Sequence, residues 1–385
     1  MSAEKKEDAQ KTLTPRSVLN GESPFVVTAT LAPVAELDRF QPAGFPEIGH
    51  VIYKAPRNNG AAEHVCIMDS AASMANHLES VCMRGAHDYE LVADLNGMPY
   101  LRCVTDRELS EEKQGELERE VVVTSLTEGH RIASSYFLAG RCLQNGSPSD
   151  KTFEDELASE FGIVLKGGKK AHPPADKWWN VFKTIFKYDP NALVHGVLFP
   201  QWQIKIPRAI TAHLEAFGAS RVDRSGVKFD RLGKTTSGQP IFAVDDATAH
   251  EIRATFILDV ALLRSFGRQD GEKKLGLTGT QKEFLVALAL WKIHALLAAP
   301  FRFRSGCHLR PTSLRQGSSE IEKIDVDIRS AIRTADFRNG NDGPVITNVF
   351  WSRQDLYREV PEENDRASAA KDEEQDSEED GNDSE

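Results

Sequence analysis

The chain has 385 residues, 40% of them hydrophobic and 27% charged, which fits a globular protein and excludes collagen-like, disulfide-scaffold and wholly disordered classes. Its formal net charge of −11 at first argues against a nucleic-acid partner, yet residues 361–385 hold 12 acids and two bases, so nearly all of the excess lies in that tail. The length suits about two to three domains, or one domain with large insertions.

Residues 1–22 lack apolar periodicity and are expected to be disordered, as is the acidic tail 361–385. Between them, residues 23–360 contain no Pro- or Ser-rich linker and no fixed-period repeat, so one folded body with several long excursions is expected. Met1 to Gln10 lacks the apolar stretch of a secretory signal. The five cysteines, Cys66, Cys82, Cys103, Cys142 and Cys307, are widely spaced and form no CxxC pair, which points to a reduced cytoplasmic setting.

In chain order, His64 to Met68 is a short apolar run, and Asp69 or Ser70 then caps a helix with Met74, Leu78 and Val81 or Cys82 at helical spacing. Thr124 to Ala139 reads as a second helix. Asp189-Pro190-Asn191 reads as a turn leading into a buried strand, Ala192 to Phe199. Pro207 stands where a first helical residue would, opening a helix through Phe217 that Gly218 ends. Thr280 to Leu297 is the cleanest helix, with Thr280 and Glu283 as its capping box. Its apolar run from Phe284 to Phe301 is broken by Lys292 and His294 and closed by Pro300, which suits a buried helix rather than a membrane span. Phe301-Arg302-Phe303-Arg304 alternates with a period of two, so its Phe face meets the core and its Arg face meets solvent or an anion.

Residues 161–235 hold 13 Lys or Arg against five acids, and residues 253–315 hold 11 against four. Two basic stretches of this kind form either an electrostatic footprint for phosphates or ordinary solvated faces. Aromatic residues interleave with them, among them Trp178, Trp179 and Trp202; most belong to a core, and one or two on a basic face are able to stack on unpaired bases.

The known catalytic fingerprints are missing. No GxSxG elbow, HExxH helix, EF-hand loop or Rossmann fingerprint occurs, and Gly162 to Lys169 fails as a phosphate loop because Gly168 stands where the lysine belongs. His64, His77 and His87 near Asp69 and Glu79 match no common metal set. No metal, cofactor or catalytic residue is assigned, and the balance moves towards binding.

Five segments in register resemble one family. They are Met68 to Glu79, Gly129 to Ser134, Tyr188 to Gly196 with its Asp-Pro-Asn to His-Gly pattern, Pro207 to Ala212, and Phe301 to Cys307. Together they resemble the CRISPR-associated backbone subunit of type I-G (formerly I-U) Cascade complexes, a Cas-seven member of the RAMP superfamily. The resemblance spans roughly residues 25–310; the acidic tail lies outside it, and His77 stands where Arg is expected.

The resemblance implies an α+β protein with a modified RRM-like, ferredoxin-type core and large insertions that form a palm-and-thumb shape. It implies a subunit without enzymatic activity that polymerises with copies of itself along a CRISPR guide RNA and presents the guide to target DNA. The implied partners are the large Cascade subunit, the subunit capping the guide end and a recruited helicase-nuclease, with no membrane. Candidate RNA contacts are Asn76, Arg131, Lys205, Arg208, Arg302 and Arg304, with Lys169 and Lys170 on a loop, and Ser73 and His195 adding hydrogen bonds. Such contacts neutralise phosphates and release counterions, so binding is expected to be salt-sensitive and indifferent to sequence, which base pairing reads instead. The acidic tail is expected to aid solubility or to discourage indiscriminate RNA binding. Two other readings stand beside this one: a type III-like endoribonuclease backbone cutting target RNA with a loop acid such as Asp69, and a plain scaffold without nucleic acid.

Overall fold

Three β-strands bury every second residue. Phe25, Val27, Ala29 and Leu31 are buried along one strand, Ile210, Ala212, Leu214 and Ala216 along another, and Ile252, Ala254, Phe256 and Leu258 along a third. This is the period of strands with one face on a core. In the computed structural model, which describes residues 14–44, 50–58, 60–107, 119–163, 173–222, 246–298, 300–304, 306–338, 340 and 345–357, they belong to one large sheet. Its strands are β1 (Phe25–Pro33), β2 (Ile52–Pro56), β3 (Ala62–Asp69), β4 (Ile210–Phe217), β5 (Glu251–Leu258), β6 (Phe301–Arg304), β7 (Cys307–Gln316) and β8 (Ser319–Ile321). Their order is β6-β7-β1-β5-β4-β3-β2 with β8 beside β7, and every pair is antiparallel.

The helices are α1 (Pro15–Leu19), α2 (Ala71–Ser80), α3 (Ser135–Leu138), α4 (Phe153–Phe161), α5 (Trp178–Tyr188), α6 (Pro190–His195), α7 (Val260–Ser265), α8 (Gly279–Leu297), α9 (Ile328–Thr334) and α10 (Arg353–Leu356). The chain is thus α+β. Helix α8 is apolar on nearly all sides because it packs against α1, α2, α6, α7 and α9. Each Leu or Phe it buries contributes about 1.5–3 kcal/mol of hydrophobic stabilisation. A second sheet joins Arg119–Thr124, Tyr100–Asp106, Ile346–Trp351, Arg141–Gln144 and Ser147–Pro148 in that order. Ile346–Trp351 runs parallel to Tyr100–Asp106, and the Trp351 indole N–H donates to the Tyr136 carbonyl at 2.7 Å, so the C-terminal stretch packs on its own subunit. Buried hydrophobics from Val18 to Val349 form one contiguous cluster. Among the described residues no helix is long and apolar enough to cross a membrane.

Several sequence expectations are corrected. Part of the N-terminal stretch 1–22 is ordered: residues 15–19 form α1, with a reciprocal Thr14–Ser17 capping box. Thr124 to Ala139 is no continuous helix; Thr124 ends a strand, a turn follows, and Ser134 caps the short α3. Ala192 to His195 is helical because the Asp189 side chain accepts from the Ala192 N–H and Pro190 fills the first helical position, leaving only Val197–Phe199 as strand. Pro207 opens no helix: the run from Ile210 pairs with β5 and β3 as β4. The capping box of α8 is Thr278 with Gln281, two residues earlier than Thr280 with Glu283.

Candidate nucleic-acid interface

Gly196 ends α6 with φ +82°, and the chain then turns back on itself as a hairpin pairing Val197–Phe199 with Ile204–Ile206. Ile204 and Ile206 point inward, which leaves Lys205 exposed between them; Arg208 is exposed two residues beyond the hairpin. The packing here is close: a Cβ on Gly196 would lie 2.9 Å from the Ile206 carbonyl oxygen and 3.0 Å from the Arg208 nitrogen. Gly129, His130 and Arg131 stand across from this hairpin. Together with His195 to Leu198 and Lys205 to Arg208 they line a groove of about 370 Å³. A second hollow of about 570 Å³ shares Gly129 with it and is lined by Asn76, Glu79, Ser80, Met83 and Glu128, among others.

The structure therefore brings Arg131, His195, Lys205 and Arg208 to one groove, with exposed Asn76 beside the adjoining hollow. Lys205 and Arg208 present their charges to solvent. Arg131 does not, a departure from its expected place on an RNA-facing surface. It is 6% exposed, and its Nε and Nη2 donate to the Glu79 carboxylate at 2.7 and 2.6 Å, while Nη1 donates to the Gly129 and Gly196 carbonyls, both at 3.2 Å. Its backbone has φ +55°, an uncommon conformation for a non-glycine residue, held here by those bonds. His195 is likewise fully buried: its Nε2 lies 2.9 Å from the Lys292 Nζ. Burial first, then the charges of Lys292 and Arg131, push its pKa well below 6.5, so the ring is neutral.

Glu79, Asn191 and Lys292 complete this polar cluster. The Asn191 amide nitrogen donates to Glu79 Oε1 at 2.6 Å, and its oxygen accepts from Lys292. Asp189 accepts from the Ile132 and Ala192 N–H groups, both at 3.3 Å, and burial raises its pKa to about 7. Sequence reading missed Lys292 and Asn191 as parts of one site. The only signal was a lysine interrupting an apolar run and an asparagine inside the Asp-Pro-Asn segment.

Ser73 and Arg304 meet elsewhere, around Asp69. The Asp69 carboxylate accepts from Ser73 Oγ at 2.9 Å, from the Ser70 N–H at 3.0 Å and from Arg304 Nη2 at 3.1 Å, and lies 3.2 Å from His77 Nε2. Burial raises the Asp69 pKa, but hydrogen bonds from His77 and Ser73 and the Arg304 charge outweigh it and leave it below the ordinary value. His77 also stands edge-on to Phe303 at 4.9 Å. Arg302 is exposed on β6, as the alternation of that strand requires. Lys169 and Lys170 lie outside the described residues.

The basic stretch 253–315 is used partly inside the molecule: Arg264 donates to the Leu19 and Gly21 carbonyls, Lys282 to those of Arg264 and Gly267, and Arg253 pairs with Glu251. Among the described residues, no group of three His, Cys, Asp or Glu is arranged to hold a metal ion.

No curated protein matches the chain. Among solved structures, it is similar to the crystal structure of Thermofilum pendens Csc2, with 12% identity and a TM-score of 0.28, over 83% of this chain and 74% of that one. Residues 25–221, more than half of the chain and including both walls of the groove, match the model of the family described as CRISPR-associated protein GSU0053. The chain belongs to this CRISPR-associated family.

Proposed function

We propose that the protein is the guide-RNA-binding backbone subunit of a type I-G Cascade effector, of the Cas-seven kind. It polymerises along the guide and presents it for pairing with target DNA. Membership of a CRISPR-associated family supports this, and the observation that carries it is the placement of Lys205 and Arg208. Both cations are exposed on the rim of one groove, beside a glycine whose lack of a side chain lets the backbone come close. Such an arrangement suits a phosphate backbone, held by charge without reading sequence.

The sheet supports an RRM-like reading of the core. The central order β7-β1-β5-β4, with α2 between β1 and β4 in the chain and α8 between β5 and β7, follows the ferredoxin-type β-α-β-β-α-β plan. The described residues 100–107, 119–163 and 173–206, inserted between α2 and β4, then supply palm-and-thumb elaborations that include the groove-bearing hairpin.

Purification from cells with and without an expressed CRISPR array tests this function. RNA of uniform length co-purifying only when the array is present is the expected result; protein free of RNA in both cases favours the plain scaffold. The endoribonuclease reading would need an available acid. Asp69 is 4% exposed and both of its carboxylate oxygens accept hydrogen bonds, which supports a structural role instead. Incubating the assembled complex with complementary labelled RNA and magnesium decides that point: regularly spaced cleavage lost on Asp69→Ala would overturn the non-enzymatic reading.

A further inference from the structure

Lys292 is a fully buried cation in α8, a long helix that is apolar on nearly all sides. Taking an ammonium group out of water is costly, and an apolar side chain would pack at such a position without that penalty. What the lysine does there is visible in its partners. Its Nζ donates to Asn191 Oδ1 and to the neutral His195 ring at Nε2, which leaves the ring hydrogen on Nδ1. Asn191 donates onward to Glu79, Glu79 is gripped by Arg131, and Arg131 closes onto the carbonyls of Gly129 and Gly196. Gly196 follows His195 directly. The bonds therefore form a closed ring that starts on α8, passes through α6 and α2, and returns to both walls of the groove.

We propose that Lys292 is a positioning residue for RNA binding: through Asn191, His195 and Arg131 it holds the Gly129–His130 loop and the Gly196 turn at the spacing that sets Lys205 and Arg208 on one strand of RNA. This rests on the reading of the groove as an RNA site. Lys292 itself touches no RNA; it acts through the ring. Removing its charge and donors frees the Gly196 end of α6, and the hairpin that begins there moves with it. The two exposed cations then no longer engage neighbouring phosphates together, and both affinity and its salt dependence fall.

The test uses the full chain and a fluorescein-labelled single-stranded RNA, with binding measured over a range of salt and folding checked by thermal melting. Lys292→Met is expected to weaken binding about tenfold and to flatten the plot of log affinity against log salt by about one unit, while Lys292→Arg restores most of both. In a chain already carrying Lys205→Ala and Arg208→Ala, Lys292→Met is expected to cost less than about twofold, because the groups it positions are gone. A full tenfold loss in that background would make Lys292 merely structural, and wild-type binding by Lys292→Met would refute the proposal outright. Should Lys292→Met fail to fold, Asn191→Asp replaces it; this substitution keeps the size of the side chain and sets a carboxylate against Glu79, and the same outcomes apply. If Lys205→Ala with Arg208→Ala leaves binding unchanged, the groove is not the RNA site, and the role of Lys292 falls with it.

Discussion

Arg131 and Glu79, 52 positions apart in the chain, form a two-pronged buried ion pair, with 2.7 and 2.6 Å between guanidinium nitrogens and carboxylate oxygens. Each would be an uncompensated buried charge without the other. Arg131→Met or Glu79→Gln is therefore expected to lower unfolding stability by about 3–5 kcal/mol in chemical denaturation. A loss below about 1 kcal/mol, the range of exposed pairs, would show that the pair is open to water.

Replacing Lys205 and Arg208 by alanine removes two exposed cations from the groove without disturbing buried bonds. The melting temperature should stay within a few degrees of the wild type. RNA affinity should fall, and the salt slope should flatten by about 1.4 units, about 0.7 per lost phosphate contact on a single strand. An unchanged slope in the folded variant would remove both residues from the interface.

Gly196→Ala tests the close approach at the turn. The φ of +82° and a Cβ 2.9 Å from the Ile206 carbonyl oxygen strain any side chain there. A stability loss of about 1–3 kcal/mol is expected, together with weaker RNA binding. Wild-type stability of the alanine variant would mean that the turn relaxes freely.

Two buried aspartates give stability opposite pH dependences. Asp69 has a folded pKa below its ordinary 3.8, so its contribution is present above that value and is lost as pH falls through the lower folded value. Asp189 has a folded pKa of about 7, so between 3.8 and about 7 the folded state holds a proton that the unfolded state has lost. Stability must fall as pH rises across that window. Asp189→Asn, which keeps a capping oxygen, is expected to abolish the fall in denaturation experiments from about pH 5 to about pH 8. Parallel curves for the two proteins would contradict the assignment.

All five thiols are buried, and burial pushes that of Cys66 up to about 11 and those of Cys103 and Cys307 up to about 12. Native protein should label with none of them on the timescale in which denatured protein labels with all five, as counted by mass spectrometry. Rapid labelling of the native chain would place at least one thiol within reach of solvent.

Sequence patterns with one physical meaning were legible. Helix α8 announced itself by its length and all-round apolarity, and Phe301 to Arg304 by a strict alternation that places Phe303 inside and Arg302 outside. Patterns with two meanings were not. Ile210 to Phe217 alternates, but its two alanines also suit a helix, and pairing with β5 and β3 decided the matter. Ala192 to Val194 is apolar throughout, so only the capping role of Asp189 distinguishes a buried helix from a buried strand. At the site, the cationic type of Arg131 and Lys205 is equally visible in the sequence. Which one is sealed against a carboxylate depends on Glu79, a partner that neither spacing nor charge count ties to Arg131.

The sheet order also bears on how the protein is made. Among the described residues, strand β1, complete by residue 33, pairs with β5 and β7, and so finds its partners in residues 251–258 and 307–316. More than two hundred residues leave the ribosome before either edge of β1 is covered. Over that interval Val27, Ala29 and Leu31 have no sheet to join, and the nascent chain carries an unsatisfied, apolar strand edge. The central sheet cannot be completed until its C-terminal strands have been made, and premature termination before residue 251 should yield insoluble product rather than a smaller folded domain.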